Sequence, residues 1–229
     1  MSNSNDKITL FSNMQMWYHK HIIHFMMIFI ITGLPLISHS FSWVAYIIGV
    51  PISVFYSPGE QLYVGIQVCR VIHRITAVLW IVTSIPFIFT MLFQKWELAF
   101  RKKKDESWGT YVKEELQDMK TMYIDFSYPK RAGKYNLGQI AAGLAVVVFG
   151  FVMIITGLIL WFRVDFDSTT VSVMRLFHGI GFMIFIIFLI IHIYLAVHPV
   201  NKAGYNAMFR DGKDDLEHAK KKHPGMFVK

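Results

Sequence analysis

The chain has 229 residues, 54% of them hydrophobic, 16% aromatic and only 17% charged, against roughly 25% charged residues in a soluble domain. Its mean hydropathy is positive, and the apolar residues come in runs with the charges between them, which excludes a disordered chain, a coiled coil and a soluble α/β enzyme. The formal net charge of +8 comes from Lys and Arg in blocks beside the apolar runs, so it reads as membrane orientation and not as nucleic-acid binding.

In chain order, Met1 to Gln15 is polar, which predicts no cleavable signal peptide and a first apolar run retained as a span. Crossing the hydrocarbon takes about 20 mostly apolar residues, and four segments qualify: 21–38, 71–93, 137–162 and 173–197. A fifth stretch, 41–56, is shorter, contains Gly49 and Pro51, and suits an interfacial or re-entrant piece. Cys69, the single cysteine, excludes an internal disulfide, a four-cysteine iron–sulfur site and a C-x-x-C-H haem attachment. Residues 95–134 hold ten Lys and Arg, including Arg101 to Lys104, and the tail from Lys202 holds seven more. Both blocks and the N-terminus are therefore expected in the cytoplasm. Trp17, Trp43, Trp96, Trp108 and Trp161 mostly fall near segment ends, as interfacial anchors do. The expected fold is an all-α integral membrane four-helix bundle, both termini cytoplasmic, with a short interfacial apolar segment between the first two spans. It divides into a cytoplasmic N-terminus (1–18), a four-span domain (19–200) that includes the basic loop 95–134, and a basic cytoplasmic tail (201–229).

The histidines point to chemistry. There are ten, and His21, His24, His73, His178 and His192 lie in or beside apolar segments, with His19 at the border. An ionisable group at membrane depth is costly and suggests function. His178 and His192 share the last span, fourteen residues apart, which places them within roughly 40° of one face and about 21 Å apart along the axis. His73 enters the second span level with His178, near the outer surface. His19, His21 and His24 begin the first span level with His192, near the inner one. Two cross-helix pairs of this kind suit two bis-histidine haems stacked across the bilayer. If 41–56 also spanned, the N-terminus would move outside and His192 would lose its partner. Zinc is a poorer fit, because no Cys, Asp or Glu accompanies these histidines in the spans.

Gly143, Gly150 and Gly157 recur every seven residues on one face of the third span. They allow close approach of a flat ligand or simply of another helix, and Gly33, Gly179 and Gly181 share that ambiguity. Arg74 and Arg175 could pair with haem propionates at the outer surface or snorkel to the interface.

With these residues in place the chain resembles the cytochrome b (gamma) subunits of the formate dehydrogenase-N type. These belong to a wider family of four-helix dihaem cytochromes serving formate dehydrogenases, hydrogenases and thiosulfate or polysulfide reductases. The first span resembles the family's opening pattern of a histidine, here His19, followed fourteen residues later by glycine, here Gly33. Met16 and Lys20 stand where the family has Arg and Trp, and His21 and His24 stay open as alternative ligands. Arg70-Val71-Ile72-His73-Arg74 resembles the second-helix ligand motif, and His178 with His192 reproduces the family's spacing. Gly133 to Gln139 resembles a segment lining the quinone site at the inner face, which implies that Asn136, Gly138 and Gln139 contact quinone with His192 close by. On the residues alone, Asn136 equally serves as a helix cap.

The resemblance implies two haem b and menaquinone or ubiquinone as substrate. It implies a periplasmic iron–sulfur subunit with its catalytic subunit as partners, and the bacterial or archaeal cytoplasmic membrane as location. The chain is then the quinone-reactive cytochrome b subunit of a multi-subunit oxidoreductase, reducing quinone near the cytoplasmic face. The opposite direction, quinol oxidation feeding a periplasmic reductase, is the alternative, with a haem-free proton-relay transporter or a haem-free anchor behind it. The spans' lack of Asp and Glu argues against transport.

Overall fold

A computed structural model describes residues 6–56, 59–89 and 105–227. The expected end of the second span at Phe93, Trp96 and the run Arg101 to Lys104 lie outside the described residues. Among the described residues, four helices are long and apolar enough to cross a membrane: α1 (Asn13–Ile37), α3 (Gln61–Phe89), α5 (Leu137–Trp161) and α6 (Ser168–Val197). Between the first two lies α2 (Ser42–Tyr56), 15 residues long and too short to span. Large apolar side chains stand exposed on all four long helices, among them Met27 at 51%, Ile85 at 61%, Phe151 at 57% and Ile190 at 63%. Outside lipid such faces would be an aggregation hazard.

Three of the four long helices begin earlier than their apolar runs suggest, and the caps explain two of these starts. Ser12 and Gln15 form a reciprocal pair: Ser12 Oγ accepts the Gln15 N–H at 3.3 Å, and Gln15 Oε1 accepts the Ser12 N–H at 2.9 Å. This capping box starts α1 at Asn13 instead of His21. Asp167 accepts the Thr170 N–H at 2.9 Å and starts α6 at Ser168 instead of Val173. The helix α3 starts at Gln61, not Val71, just after Gly59, whose φ of +94° makes the turn that an L side chain would resist. Each extension carries polar turns that a search for continuous hydrophobicity leaves out.

The chain divides into two compact units. One takes in the described residues of Met1–Met16, Phe89–Thr156 and Leu176–Lys229, and the other those of Trp17–Ile88 and Gly157–Arg175. In the second unit α2 lies tightly on the first half of α3. A Cβ on Gly49 would collide with the Gln61 carbonyl, and one on Gly65 with the Ala45 carbonyl. Ala45 and Cys69 are fully buried there and Ser53 nearly so. Small residues at four-residue spacing let the two backbones meet, the usual device where helices pack without a hydrophobic drive.

The first unit holds structure that hydropathy does not reveal. Helix α4 (Trp108–Tyr123) occupies the basic loop, and its Asp118 accepts the backbone N–H groups of Lys130 and Arg131 at 3.0 and 2.8 Å. The Arg131 guanidinium grips Glu106 at 2.7 and 3.0 Å and also Glu114. Strand β1 (Lys7–Thr9) pairs antiparallel with β2 (Lys213–Asp215) from the tail. Short helices α7 (Lys202–Phe209) and α8 (Leu216–Lys222) complete the tail. Gln15 donates to the Tyr135 hydroxyl at 3.2 Å, and the His223 ring bonds the Gly133 carbonyl at 2.9 Å. Segments that hydrogen-bond one another share one side of any membrane. The N-terminal strand, the 105–136 loop and the tail therefore lie on the same side, with two long helices between each segment and the next.

Candidate functional site

Three clusters hold the residues that the sequence singles out. The first is on α1 and α3. His73 lies twelve residues into α3, about 18 Å from its start. Its Nδ1 is 2.9 Å from Thr32 Oγ1 of α1, and its ring meets the edge of Phe29, centroids 5.0 Å apart. Thr32 is only 3% exposed, and its hydroxyl also bonds the Ile28 carbonyl at 2.7 Å. His73 was expected a few residues from the end of its span. It sits deeper along its helix, because α3 begins ten residues earlier.

The second cluster repeats the first on α5 and α6. His178 lies ten residues into α6, about 15 Å from its start. Its Nδ1 is 2.8 Å from Thr156 Oγ1 of α5. Thr156 is 4% exposed, and its hydroxyl bonds the Val152 carbonyl at 2.7 Å. Sequence reasoning passed over both threonines, although a signal was present: Ile-Ile-Thr-Gly-Leu occurs at 30–34 and again at 154–158. His192 is exposed on the same helix as His178, stacked on Phe188 with centroids 5.7 Å apart.

At the start of α1, His19 is half-buried and His24 is exposed. His21 stacks on Trp17 at 4.1 Å, its Nδ1 2.7 Å from the Trp17 carbonyl. His19 shares a helix face with buried Gly33, roughly 40° away, whereas His24 lies on the opposite side. Of the two arginines, Arg74 lies over the Trp161 ring, 5.0 Å from its centroid, and Arg175 is exposed.

The third cluster is a cleft at the start of α5, lined by Lys134, Tyr135, Asn136, Gln139, Lys222 and His223, among others. Asn136 Oδ1 accepts the Gln139 N–H at 2.9 Å, and Gln139 Oε1 accepts the Asn136 N–H at 3.0 Å. The two amides thus form a second capping box. Glu115 Oε2 accepts the Leu137 N–H at 3.3 Å. Burial pushes the Glu115 carboxyl above its usual range and raises the Tyr135 phenol. Gly138 turns to Met119, whose Cε would lie 2.7 Å from a Cβ there. Lys222 Nζ bonds the Asn201 side chain at 3.3 Å and the Val200 carbonyl. Burial pushes its pKa down to about 8 and lowers that of His223 too. The tail's part in this cleft had no local sequence signal, because Lys222 lies more than 80 residues from Asn136.

Residues 10–210 match the sequence family described as prokaryotic cytochrome b561. The chain belongs to that family. Among similar proteins, the formate dehydrogenase cytochrome b556(fdo) subunit of Escherichia coli K12 is 24% identical over 202 residues, covering 85% of this chain and 79% of that one. The formate dehydrogenase cytochrome b556 subunit of Haemophilus influenzae is 26% identical over 206 residues, covering 89% and 74%. The nitrate-inducible cytochrome b556(Fdn) subunit of Escherichia coli K12 is 31% identical over 125 residues, covering 53% and 54%.

As a member of the cytochrome b561 family the chain is a multi-pass membrane cytochrome b of electron transport, with haem b as its cofactor. This stands in place of the transporter and haem-free anchor readings. The residues present fit such a group. Imidazole is a good haem-iron donor, and His73 and His178 are carried by apolar helices. A Cβ on Gly179, beside His178, or on Gly143 would meet no described atom within 4 Å, leaving open space along the helix for a flat ring system.

Proposed function

We propose that this cytochrome b is the dihaem, quinone-reactive membrane subunit of a formate dehydrogenase-like complex. It conducts electrons between a periplasmic iron–sulfur partner and the membrane quinone pool, in the direction of quinone reduction near the cytoplasmic face. The relatives named as formate dehydrogenase subunits favour this direction and partner. The observation that carries the reading is the matched placement of four histidines. His73 and His178 lie twelve and ten residues from the starts of α3 and α6, and His19 and His192 lie six residues from the start of α1 and five from the end of α6. On this reading His73 with His178 holds the outer haem and His19 with His192 the inner one. His21 is committed to its Trp17 stack, and His24 faces away from Gly33. Arg74 and Arg175 are the propionate candidates.

Bound haem b supplies reversible one-electron chemistry at its iron. The chain's own residues do the rest. The imidazoles of His73, His178, His19 and His192 would hold the iron, and the apolar helices that carry them would exclude water. Quinone is held at the cleft on α5, where the Gln139 NH2 and the Asn136 N–H not given to Tyr123 orient a carbonyl oxygen; His192 is the proposed neighbour from α6, and Gly138 faces Met119 instead of the cleft. Quinone reduction consumes protons. Lys222 is protonated at neutral pH and, with its pKa pushed down to about 8, releases a proton more readily than an exposed lysine. The basic residues of the loop and tail favour a cytoplasmic position for this face, from which protons would be drawn.

The test is haem content. A pyridine haemochrome assay on the purified complex should give two haems per chain. His178→Ala should remove the outer haem alone, and His192→Ala the inner haem alone, with loss of formate-dependent quinone reduction in both. One haem or none in the unaltered chain, or retention of both haems in either variant, overturns the assignment.

A further inference from the structure

We propose that Thr32 and Thr156 are positioning residues for the two outer-haem histidines, each accepting the Nδ1–H of its partner and thereby leaving Nε2 as the ring nitrogen that carries the lone pair. The inference rests on the reading of His73 and His178 as haem ligands and adds what sets their tautomer and donor strength.

Hydrogen counting carries it. A threonine hydroxyl has one hydrogen and two acceptor lone pairs. Thr32 Oγ1 stands 2.7 Å from the Ile28 carbonyl, and Thr156 Oγ1 stands 2.7 Å from the Val152 carbonyl. A carbonyl oxygen has no hydrogen to give, so each hydroxyl hydrogen is spent on its own helix. At 2.9 Å from His73 Nδ1 and 2.8 Å from His178 Nδ1, the hydroxyl oxygen can then only accept. Each imidazole is therefore protonated at Nδ1, and a neutral ring in that tautomer binds a metal through Nε2. Both threonines are almost completely buried, so no solvent competes for the bond, and Thr's stiff χ1 in a helix holds the oxygen in place.

The arrangement occurs twice, on different helix pairs and through the same pentapeptide. In both copies the Thr of Ile-Ile-Thr-Gly-Leu meets a histidine ten or twelve residues into the following long helix. Outer partners of this kind fix ring orientation and raise the basicity of a ligating imidazole. A more basic ligand favours ferric iron, so these two bonds would hold the outer haem's midpoint potential down.

The experiment is a potentiometric titration, with electron paramagnetic resonance of the ferric low-spin signals, on the haem-loaded complex carrying Thr32→Val, Thr156→Val or both. The expected result is an upward shift of the outer haem's midpoint potential and an altered outer-haem signal in each single variant, larger in the double. The inner haem is unmoved, and Thr→Ser at either position restores the original potential. Unchanged outer-haem potential at full occupancy, or Ser variants that shift as far as the Val variants, overturns the proposal. If a Val variant loses the outer haem, the matching Ser variant decides: retention with unaltered potential supports the hydrogen bond, and loss overturns it in favour of packing. Should His73→Ala and His178→Ala both keep the outer haem, the ligand reading itself fails. If those lose it while the Thr variants leave its potential untouched, only the positioning role fails.

Discussion

At the scale of single residues, the amides at the start of α5 show how one side chain can be asked to do two jobs. Asn136 and Gln139 cap the helix with their oxygens; the Gln139 NH2 remains to donate, while the Asn136 NH2 gives one N–H to the Tyr123 hydroxyl at 3.4 Å and keeps the other. Alanine at either position removes the cap as well as the donor and costs about 0.5–2 kcal/mol of local stability, so it would blur any effect on quinone. Gln139→Glu and Asn136→Ser keep a capping acceptor and remove the amide donor, the first also adding a carboxylate charge and the second losing the Tyr123 bond. Each should lower quinone-analogue affinity by at least about 0.5–1.5 kcal/mol, the worth of one neutral hydrogen bond, with both haems retained. Inhibitor titration of the reduced complex measures this, and unchanged affinity in both variants removes the amides from the site. Gly138→Leu is a weaker probe than its position suggests, since the new side chain would run into Met119 before it met any ligand.

At the scale of elements, α2 and α3 behave as one hairpin. The Gly49 and Gly65 contacts place each glycine against a backbone carbonyl of the other helix, which no side chain can rotate to relieve. Gly65→Leu should therefore force the helices apart and destabilise the protein by at least the usual overpacking cost of about 1–3 kcal/mol. Thermal unfolding in detergent should show a lowered midpoint, and loss of the haem proposed at His73 should accompany it, because His73 lies two turns further along α3. A variant as stable as the parent would mean that the crossing is looser than the Gly65–Ala45 approach implies. The same hairpin explains why the fifth apolar stretch does not span. It is already satisfied by a protein surface on one side, and its 15 residues are too few to cross.

At the scale of the whole molecule, the polar face is knit from the N-terminal strand, the loop carrying α4 and the tail. Lys222 is its most sensitive point. Because burial lowers its pKa, the unfolded tail binds this proton in the window from about 8 up to the ordinary 10.5, where the docked tail does not. Docking therefore strengthens as pH rises through that window and is weakest below it. Amide hydrogen exchange over residues 202–223, corrected for intrinsic rates, should show greater protection at about pH 10 than at about pH 7. Lys222→Met should abolish the difference. Equal protection at both values in the unaltered chain would contradict the buried environment of the ammonium.

The sequence by itself determined the membrane class, the number of spans and the candidate histidines. Each follows from properties that are local or one-dimensional: runs of apolar residues, blocks of Lys and Arg, and fourteen residues returning to one helix face. Ser12 and Gln15, three apart, have capping-box spacing, which a reading of apolar runs passes over and the structure shows. Only the tertiary structure decided what polar partners these residues have. Thr32 meets a histidine 41 residues away, Lys222 bonds a residue 21 away, and β1 finds its strand across almost the full chain. A buried hydroxyl or ammonium must be satisfied by some group, but the sequence does not say which, because the partner is chosen by packing and not by spacing. Hydropathy also missed α4, whose buried face consists of Tyr111, Glu115, Asp118 and Met122. Two carboxylates stand there among the core residues, held by the backbone N–H donors of Leu137, Lys130 and Arg131 and, for Glu115, by the Arg131 guanidinium 3.9 Å away.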